Sequence, residues 1–137
     1  MREGIGGGAA IAKPPQQTDN AAMIRVLAAL ALILTALPAA AGPLRLLMVE
    51  KEGCVYCAAW DRNIGPGYAA SEQGRAAPLE RVDIHGPYPD GLALARRPFV
   101  TPTFILLDGG AEVGRLEGHM TAAQFWPALS ALLDRAR

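Results

Sequence analysis

The chain has 137 residues, and its 13 lysines and arginines balance 13 aspartates and glutamates, so its formal net charge is zero. The sequence contains neither a basic stripe nor an amphipathic cationic helix, which argues against binding to nucleic acid or to a membrane surface. It has only two cysteines, so it is not a small domain held together by several disulfides.

The first 41 residues show two different patterns. Residues 1–22 lack hydrophobic periodicity and contain short runs of Gly, Pro and Gln, so we expect them to be disordered or to belong to a mis-assigned upstream start. Residues 23–41 have a basic start, an apolar run of roughly 12 residues and a small-residue ending, which is the layout of a secretory signal peptide cleaved after Ala41. The alternative is an uncleaved signal anchor, although a membrane-spanning helix needs about 20 apolar residues. We therefore predict an exported protein with one folded domain over residues 42–137.

The two cysteines form a Cys54-Val55-Tyr56-Cys57 motif between a predicted strand and a predicted helix. The apolar run 44–49 predicts a buried strand, and residues 58–64 favour a helix. A cysteine at a helix N-terminus is reactive because the unpaired N–H groups and the helix dipole stabilise its thiolate, and this describes Cys54. Cys57, one turn further along, is placed to close the disulfide and release a partner from a mixed disulfide. The motif predicts a catalytic dithiol, with an inert structural disulfide as the alternative.

The elements after the motif alternate between helix and strand. In order, the sequence predicts a break at 65–67, a second helical piece over 68–77, a strand over 79–84, a short helix over 92–97, a strand over 103–107, a Gly-rich hairpin turn at 108–110, a returning strand over 111–116 and a last helix from Thr121 to about Arg135. Thr121 and Gln124 have the spacing of a capping box. The order β-α-β-α-β-β-α is that of a parallel βαβ unit followed by a hairpin and a covering helix.

This order, with CxxC after the first strand and Thr101-Pro102 before the third, resembles the thioredoxin-like superfamily. The resemblance implies a minimal α/β thioredoxin-like fold, with a four-stranded mixed central sheet flanked by helices. It also implies that the Thr101–Pro102 bond is cis and faces the dithiol, so that Thr101 can pair with an extended substrate segment. The loop that contains Gly118 and His119 would line the same groove, and Tyr56 would either contact the substrate or shield the disulfide.

Within the superfamily, the sequence resembles the periplasmic thioredoxins of bacterial sulfur-oxidation (Sox) systems. The segments that carry this resemblance are 48–50, 53–57, 60–61, 64–66, 74–79 and 101–104. The resemblance implies a periplasmic enzyme that reduces disulfides or sulfur adducts on a protein partner such as a sulfur-carrier protein. The enzyme would use the Cys54–Cys57 disulfide and no other cofactor, and a membrane thiol transporter would reduce it again.

The sequence departs from ordinary cytoplasmic thioredoxin at and beside the dithiol. Gly53 stands where thioredoxin has Trp, and the residues between the cysteines are Val-Tyr rather than Gly-Pro. Met48 occupies the position of a buried acid that assists proton transfer. Glu50 is a candidate proton acceptor if the strand stays regular to its end. Reductase, isomerase and oxidant activities are therefore all compatible with the sequence.

A metal-binding module is the alternative from a different functional class. One CxxC supplies two thiolate ligands, and His85, His119 and Met48 could in principle add others. Structural zinc needs four ligands at matched spacing, so copper(I) is the more plausible ion for such a dithiolate. We predict an oxidoreductase without a bound metal and keep the copper module as the second hypothesis.

Overall fold

The computed structural model describes residues 8, 10–12 and 43–137. The predicted signal peptide over 23–41 and most of the predicted extension over 1–22 lie outside the described residues. Within the described part of the chain, no helix has the length and apolar character needed to span a membrane.

The secondary structure follows the predicted order with two exceptions: residues 65–68 form a short helix where a break was expected, and residues 92–97 form no helix. The strands are β1 (Leu44–Glu50), β2 (Leu79–Asp83), β3 (Thr103–Asp108) and β4 (Ala111–Glu117), and the helices are α1 (Val55–Asn63), α2 (Gly65–Tyr68), α3 (Glu72–Ala76) and α4 (Ala122–Arg135). The first helix ends before Gly65, as predicted, but residues 65–68 form the separate short helix α2 with Pro66 in its first turn. The second helical piece predicted over 68–77 is limited to α3. The predicted capping box of Thr121 and Gln124 is also present at the start of α4.

The four strands form one mixed sheet in the order β2-β1-β3-β4. β1 runs parallel to β2 and antiparallel to β3, and β3 pairs with β4 as a hairpin. The hairpin turn contains Gly109 and Gly110, whose φ angles of 55° and 92° lie in the left-handed region that glycine adopts without strain. The predicted thioredoxin-like α/β fold, with its four-stranded mixed sheet, is confirmed.

Both faces of the sheet are buried, which explains why β1 and β3 are almost continuously apolar. Successive side chains of a strand point to opposite faces, so Leu46 and Met48 pack under the helices while Leu47 and Val49 face the other way. The helical side contains an aromatic group formed by Trp60, Tyr68, Phe104, Phe125 and Trp126. The opposite side is covered by partly buried residues of the segment that follows β2: Ile84, Tyr88, Leu92 and Leu94.

The helix predicted over 92–97 is wrong. Leu92 and Leu94 are partly buried on the sheet, whereas Ala93 is exposed, which is the two-residue period of an extended chain. The Ala93 N–H donates to the Gly110 carbonyl at 2.9 Å, and the Glu112 N–H donates to the Ala93 carbonyl at 2.9 Å. Helix-forming residue types are a weak preference, and these contacts with the hairpin override it.

Candidate active site

The two cysteines lie at the start of α1 and are joined by a disulfide with their Cα atoms 5.3 Å apart. Cys54 is the N-cap of the helix, and its Sγ accepts a hydrogen bond from the Cys57 N–H at 3.1 Å. The strand β1 ends at Glu50, so only a short turn separates the sheet from the helix. A sulfur at this position receives a backbone N–H and the positive end of the helix dipole, both of which favour a thiolate.

The two sulfur-bearing residues differ in their access to solvent. Cys57 is 4% exposed, whereas Cys54 is partly exposed. An attacking or attacked sulfur on a partner can therefore approach Cys54 more easily than Cys57. This asymmetry fits a dithiol in which one sulfur meets the partner and the other completes the exchange from inside.

A groove of about 430 Å³ borders the disulfide on one side. This groove, called here the Thr101 groove, is lined by Lys51, Gly53, Cys54, Val55, Tyr56, Ile84, Phe99, Val100 and Thr101. The Thr101–Pro102 peptide bond is cis, as the family resemblance implied. Thr101 is partly exposed in the groove, while Pro102 is buried behind it.

The loop between β4 and α4 approaches the same region. The Gly118 N–H donates to the Pro102 carbonyl at 2.9 Å, and Gly118 has a φ of 84°. The next residue, His119, is exposed and stacks its ring on that of Tyr56, with the ring centroids 4.9 Å apart. The structure thus brings together all the residues that the sequence assigned to substrate contact.

A cleft of about 500 Å³, called here the acidic cleft, lies against the same dithiol. Its lining includes Cys57, Glu50 and Asp61. Arg81 binds both carboxylates, Glu50 at 2.8 Å and Asp61 at 2.6 Å, and its guanidinium lies 5.7 Å from the centroid of the Trp60 ring. Strand β1 is regular through Glu50. The sequence analysis made the role of Glu50 as a proton acceptor depend on this regularity.

Two groove residues were missed by the sequence reasoning. Val55 and Phe99 are each 69% exposed, although large apolar side chains are usually buried. The sequence placed Val55 in the interior of the CxxC motif and assigned no role to Phe99. A bulky apolar residue two positions before Thr101 was the signal that could have identified Phe99.

The structure also locates the histidines considered as metal ligands. His85 lies in the turn after β2, where its N–H donates to the Asp83 carboxylate at 2.8 Å. His119 stacks on Tyr56, and Met48 is fully buried in the core. Among the described residues, no group of three or more His, Cys, Asp or Glu side chains is arranged to hold a metal ion.

The fold and the paired cysteines define a thioredoxin-like thiol–disulfide oxidoreductase. The chain is similar to the periplasmic thioredoxin SoxS from Paracoccus pantotrophus, whose crystal structure is that of the reduced form. The two share 50% sequence identity with a TM-score of 0.67, over 69% of this chain and 99% of the other. The chain therefore belongs to the thioredoxin-like superfamily, as the sequence predicted. No protein-family model and no curated protein matches the chain.

Proposed function

We propose that this oxidoreductase is exported to the periplasm and reduces disulfides or sulfur adducts on a protein partner, such as a sulfur-carrier protein. The observation that carries the proposal is the partly exposed Cys54 at the N-terminus of α1, beside a groove that also contains Thr101. The 50% identity to a periplasmic thioredoxin supports the compartment. The class of partner rests on the family resemblance seen in the sequence. The signal peptide expected over 23–41 is part of the proposal.

The reaction is a pair of thiol–disulfide exchanges. The Cys54 thiolate attacks one sulfur of the partner disulfide, which forms a mixed disulfide and releases the first partner thiolate. The Cys57 thiolate then attacks Cys54 Sγ, which closes the Cys54–Cys57 disulfide and releases the second partner thiolate. Two electrons pass to the partner, and the protons lost by the two thiols are available to the two leaving thiolates. A membrane thiol transporter would return the pair to the dithiol state.

The Thr101 groove supplies the binding site in this proposal. An extended partner segment would align its backbone with Thr101, so that its sulfur lies next to Cys54. The exposed side chains of Val55, Tyr56 and Phe99 would contact apolar residues beside the partner's sulfur. Gly118 and His119 would border the bound segment from the β4–α4 loop.

The trapping of a mixed disulfide tests the order of the two exchanges. We expect Cys57→Ser to accumulate a mixed disulfide with insulin, because the second exchange cannot occur. A thiol reductant should cleave this complex. The matched Cys54→Ser variant should trap nothing, since the buried Cys57 is poorly accessible to a partner. Equal trapping by both variants would contradict the assigned roles. A wild-type chain that fails to reduce insulin would contradict the proposed activity.

The reduction potential of the Cys54–Cys57 pair tests the direction of electron flow. A value near or below about −220 mV, in the range of thioredoxins and glutaredoxins, would support a reductant. A value near about −120 mV would instead indicate an oxidant or isomerase. Copper(I) binding without a reversible thiol–disulfide transition would favour the metal-binding alternative.

A purified sulfur-carrier protein with a persulfide on its cysteine tests the finer assignment of substrate. We expect the reduced chain to release the added sulfur as sulfide, with closure of the Cys54–Cys57 disulfide and return of the carrier thiol, faster than it reduces insulin. If the carrier persulfide persists while insulin is reduced, the oxidoreductase activity stands but the sulfur carrier is not the substrate.

A further inference from the structure

An almost fully buried ion pair lies on β4, away from the cysteines. The side chains of Glu112 and Arg115 are 5% and 7% exposed, and two nearly parallel hydrogen bonds of 2.6 Å join them. Arg115 uses Nε and Nη2 in this contact, which is the forked geometry that arginine forms with carboxylates. Buried ion pairs contribute little net stability because removing both charges from water is costly. Stability alone therefore does not account for the position of this pair.

Both partners also hold the segment that leads into the Thr101 groove. Glu112 Oε2 accepts a hydrogen bond from the Ala95 N–H at 2.8 Å, and Arg115 Nη2 donates to the Arg96 carbonyl at 2.8 Å. Residues 94–102 belong to no helix or strand, so regular secondary structure does not fix their path. The ion pair supplies two of the hydrogen bonds that fix it.

The same network reaches Phe99 in the groove and the start of the β4–α4 loop. Arg96 Nη2 binds Glu117 Oε1 at 2.7 Å, and the Arg96 guanidinium lies 5.9 Å from the centroid of the Phe99 ring. Arg115 Nη1 also approaches Glu117 Oε1 at 3.4 Å. Glu117 is the residue before Gly118, whose N–H binds the Pro102 carbonyl. The position of the exposed Phe99 ring is thus connected to the buried pair through Arg96.

We propose that Glu112 and Arg115 are positioning residues that set the wall formed by residues 99–101, and that they thereby determine selectivity for protein disulfides over small ones. A protein segment long enough to contact Phe99 and Thr101 needs that wall in place. A small disulfide needs only access to Cys54. The inference rests on the proposed function, because it assigns the Thr101 groove to the substrate.

The test compares Arg115→Lys with Phe99→Ala, with the double variant and with Arg45→Lys, all in the full chain. Lysine keeps the charge but cannot reproduce the two forked bonds together with the bond to the Arg96 carbonyl. Arg45→Lys is the matched control, since it alters a 2.7 Å ion pair with Glu80 that joins β1 to β2 and does not line the Thr101 groove. Three quantities are measured for each variant: kcat and KM for insulin reduction, the rate with dithiobis(nitrobenzoate), and the reduction potential of the cysteine pair.

We expect Arg115→Lys to raise the KM for insulin by about tenfold, which corresponds to about 1.4 kcal/mol, with kcat nearly unchanged. The rate with the small disulfide and the reduction potential should stay at wild-type values, as should all quantities in Arg45→Lys. Because Arg115 acts in part through Phe99, the loss in the double variant should be smaller than the sum of the two single losses. Either an unchanged KM for insulin in Arg115→Lys or an equal loss with the small disulfide would overturn the inference. Independent, additive effects of the two substitutions would also overturn it. If the wild type reduces neither substrate, the proposed function itself fails, which is a distinguishable result.

Discussion

The ring of Tyr56 stacks on the imidazole of His119, with centroids 4.9 Å apart and planes inclined at 28°. Tyr56 lies in the first turn of α1, between the two cysteines in the sequence, whereas His119 belongs to the loop after β4. The contact therefore links the redox motif to a loop more than sixty residues away in the sequence. Since Tyr56 is still 52% exposed, its ring also remains accessible to a partner.

A double-mutant cycle measures the energy of this stack. We expect Tyr56→Leu and His119→Gln to show a coupling of about 0.5 to 1 kcal/mol in the free energy of unfolding, as aromatic pairs do. Urea denaturation of the oxidised chain gives the four required values. The control cycle pairs Tyr56→Leu with His85→Gln, which should be additive within about 0.5 kcal/mol. Additivity in the first cycle would show that the stack contributes no energy.

The buried Glu112 carboxylate predicts a loss of stability in acid. The hydrogen bond from Arg115 holds the pKa of Glu112 below its ordinary value of 4.5. Because the folded-state pKa is below the unfolded value, the stabilisation is complete above the unfolded pKa and is lost as pH falls through the folded pKa. We expect Glu112→Gln to cost about 1 to 3 kcal/mol near neutral pH. The difference in the free energy of unfolding between wild type and Glu112→Gln, measured by urea denaturation, should become smaller below about pH 4.5.

The matched control for this acid effect is Glu80→Gln. The Glu80 side chain is 32% exposed in its ion pair with Arg45, and exposed ion pairs contribute about 0 to 1 kcal/mol. If the difference in the free energy of unfolding between wild type and Glu112→Gln stayed constant from neutral pH into acid, ionisation of Glu112 would not be the cause of the acid effect.

Gly74 is a position where even one methyl group should be costly. A Cβ there would lie 1.8 Å from the Tyr68 carbonyl oxygen and 2.7 Å from its carbon. Backbone atoms cannot rotate away, so we expect Gly74→Ala to destabilise the chain by about 3 kcal/mol, at the upper end of overpacking effects. Thermal and urea denaturation both measure this loss.

Gly67 provides the matched comparison within the same helical region. Apart from its chain neighbours and the backbone of its own helix, no atom lies within 4 Å of a Cβ built there. Gly67→Ala should therefore change stability by less than about 1 kcal/mol, in the stabilising direction, because alanine reduces the freedom of the unfolded chain. Equal destabilisation by both substitutions would indicate that close approach to Tyr68 is not the reason.

Glu50 remains a predicted proton acceptor for the exchange at Cys57. Dithiobis(nitrobenzoate) separates the two steps, since attack by Cys54 releases the first nitrothiobenzoate and attack by Cys57 releases the second. We expect Glu50→Gln to slow the second release by about tenfold. This factor is smaller than is usual for general acid–base catalysis, because the Glu50 side chain is partly exposed. The first release should be unchanged, and Glu80→Gln should affect neither. Stopped-flow absorbance measures both phases, and an unaltered second phase would exclude Glu50 as the acceptor.

The sequence by itself determined the elements whose signals are local. The apolar run of β1, the CxxC spacing, the Gly-Gly hairpin and the Thr121 capping box each depend on residues that are neighbours along the chain. Backbone propensities and turn chemistry act over this range, so the strands, most of the helices and the dithiol could be predicted. The resemblance to a known family added the cis Thr101–Pro102 bond and the loop of Gly118 and His119 beside it.

Only the tertiary structure decided which distant residues meet. Residues 92–97 have helix-forming side chains, yet contacts with Gly110 and Glu112 hold residues 92–94 extended before a bend at 95–96. Phe99 becomes part of the groove only because this extended path carries it beside Thr101. The physical reason is that periodicity and propensity describe neighbours in the chain. Contacts across the sheet depend on strand register and on the direction of each connection, and these are fixed by packing of the whole domain.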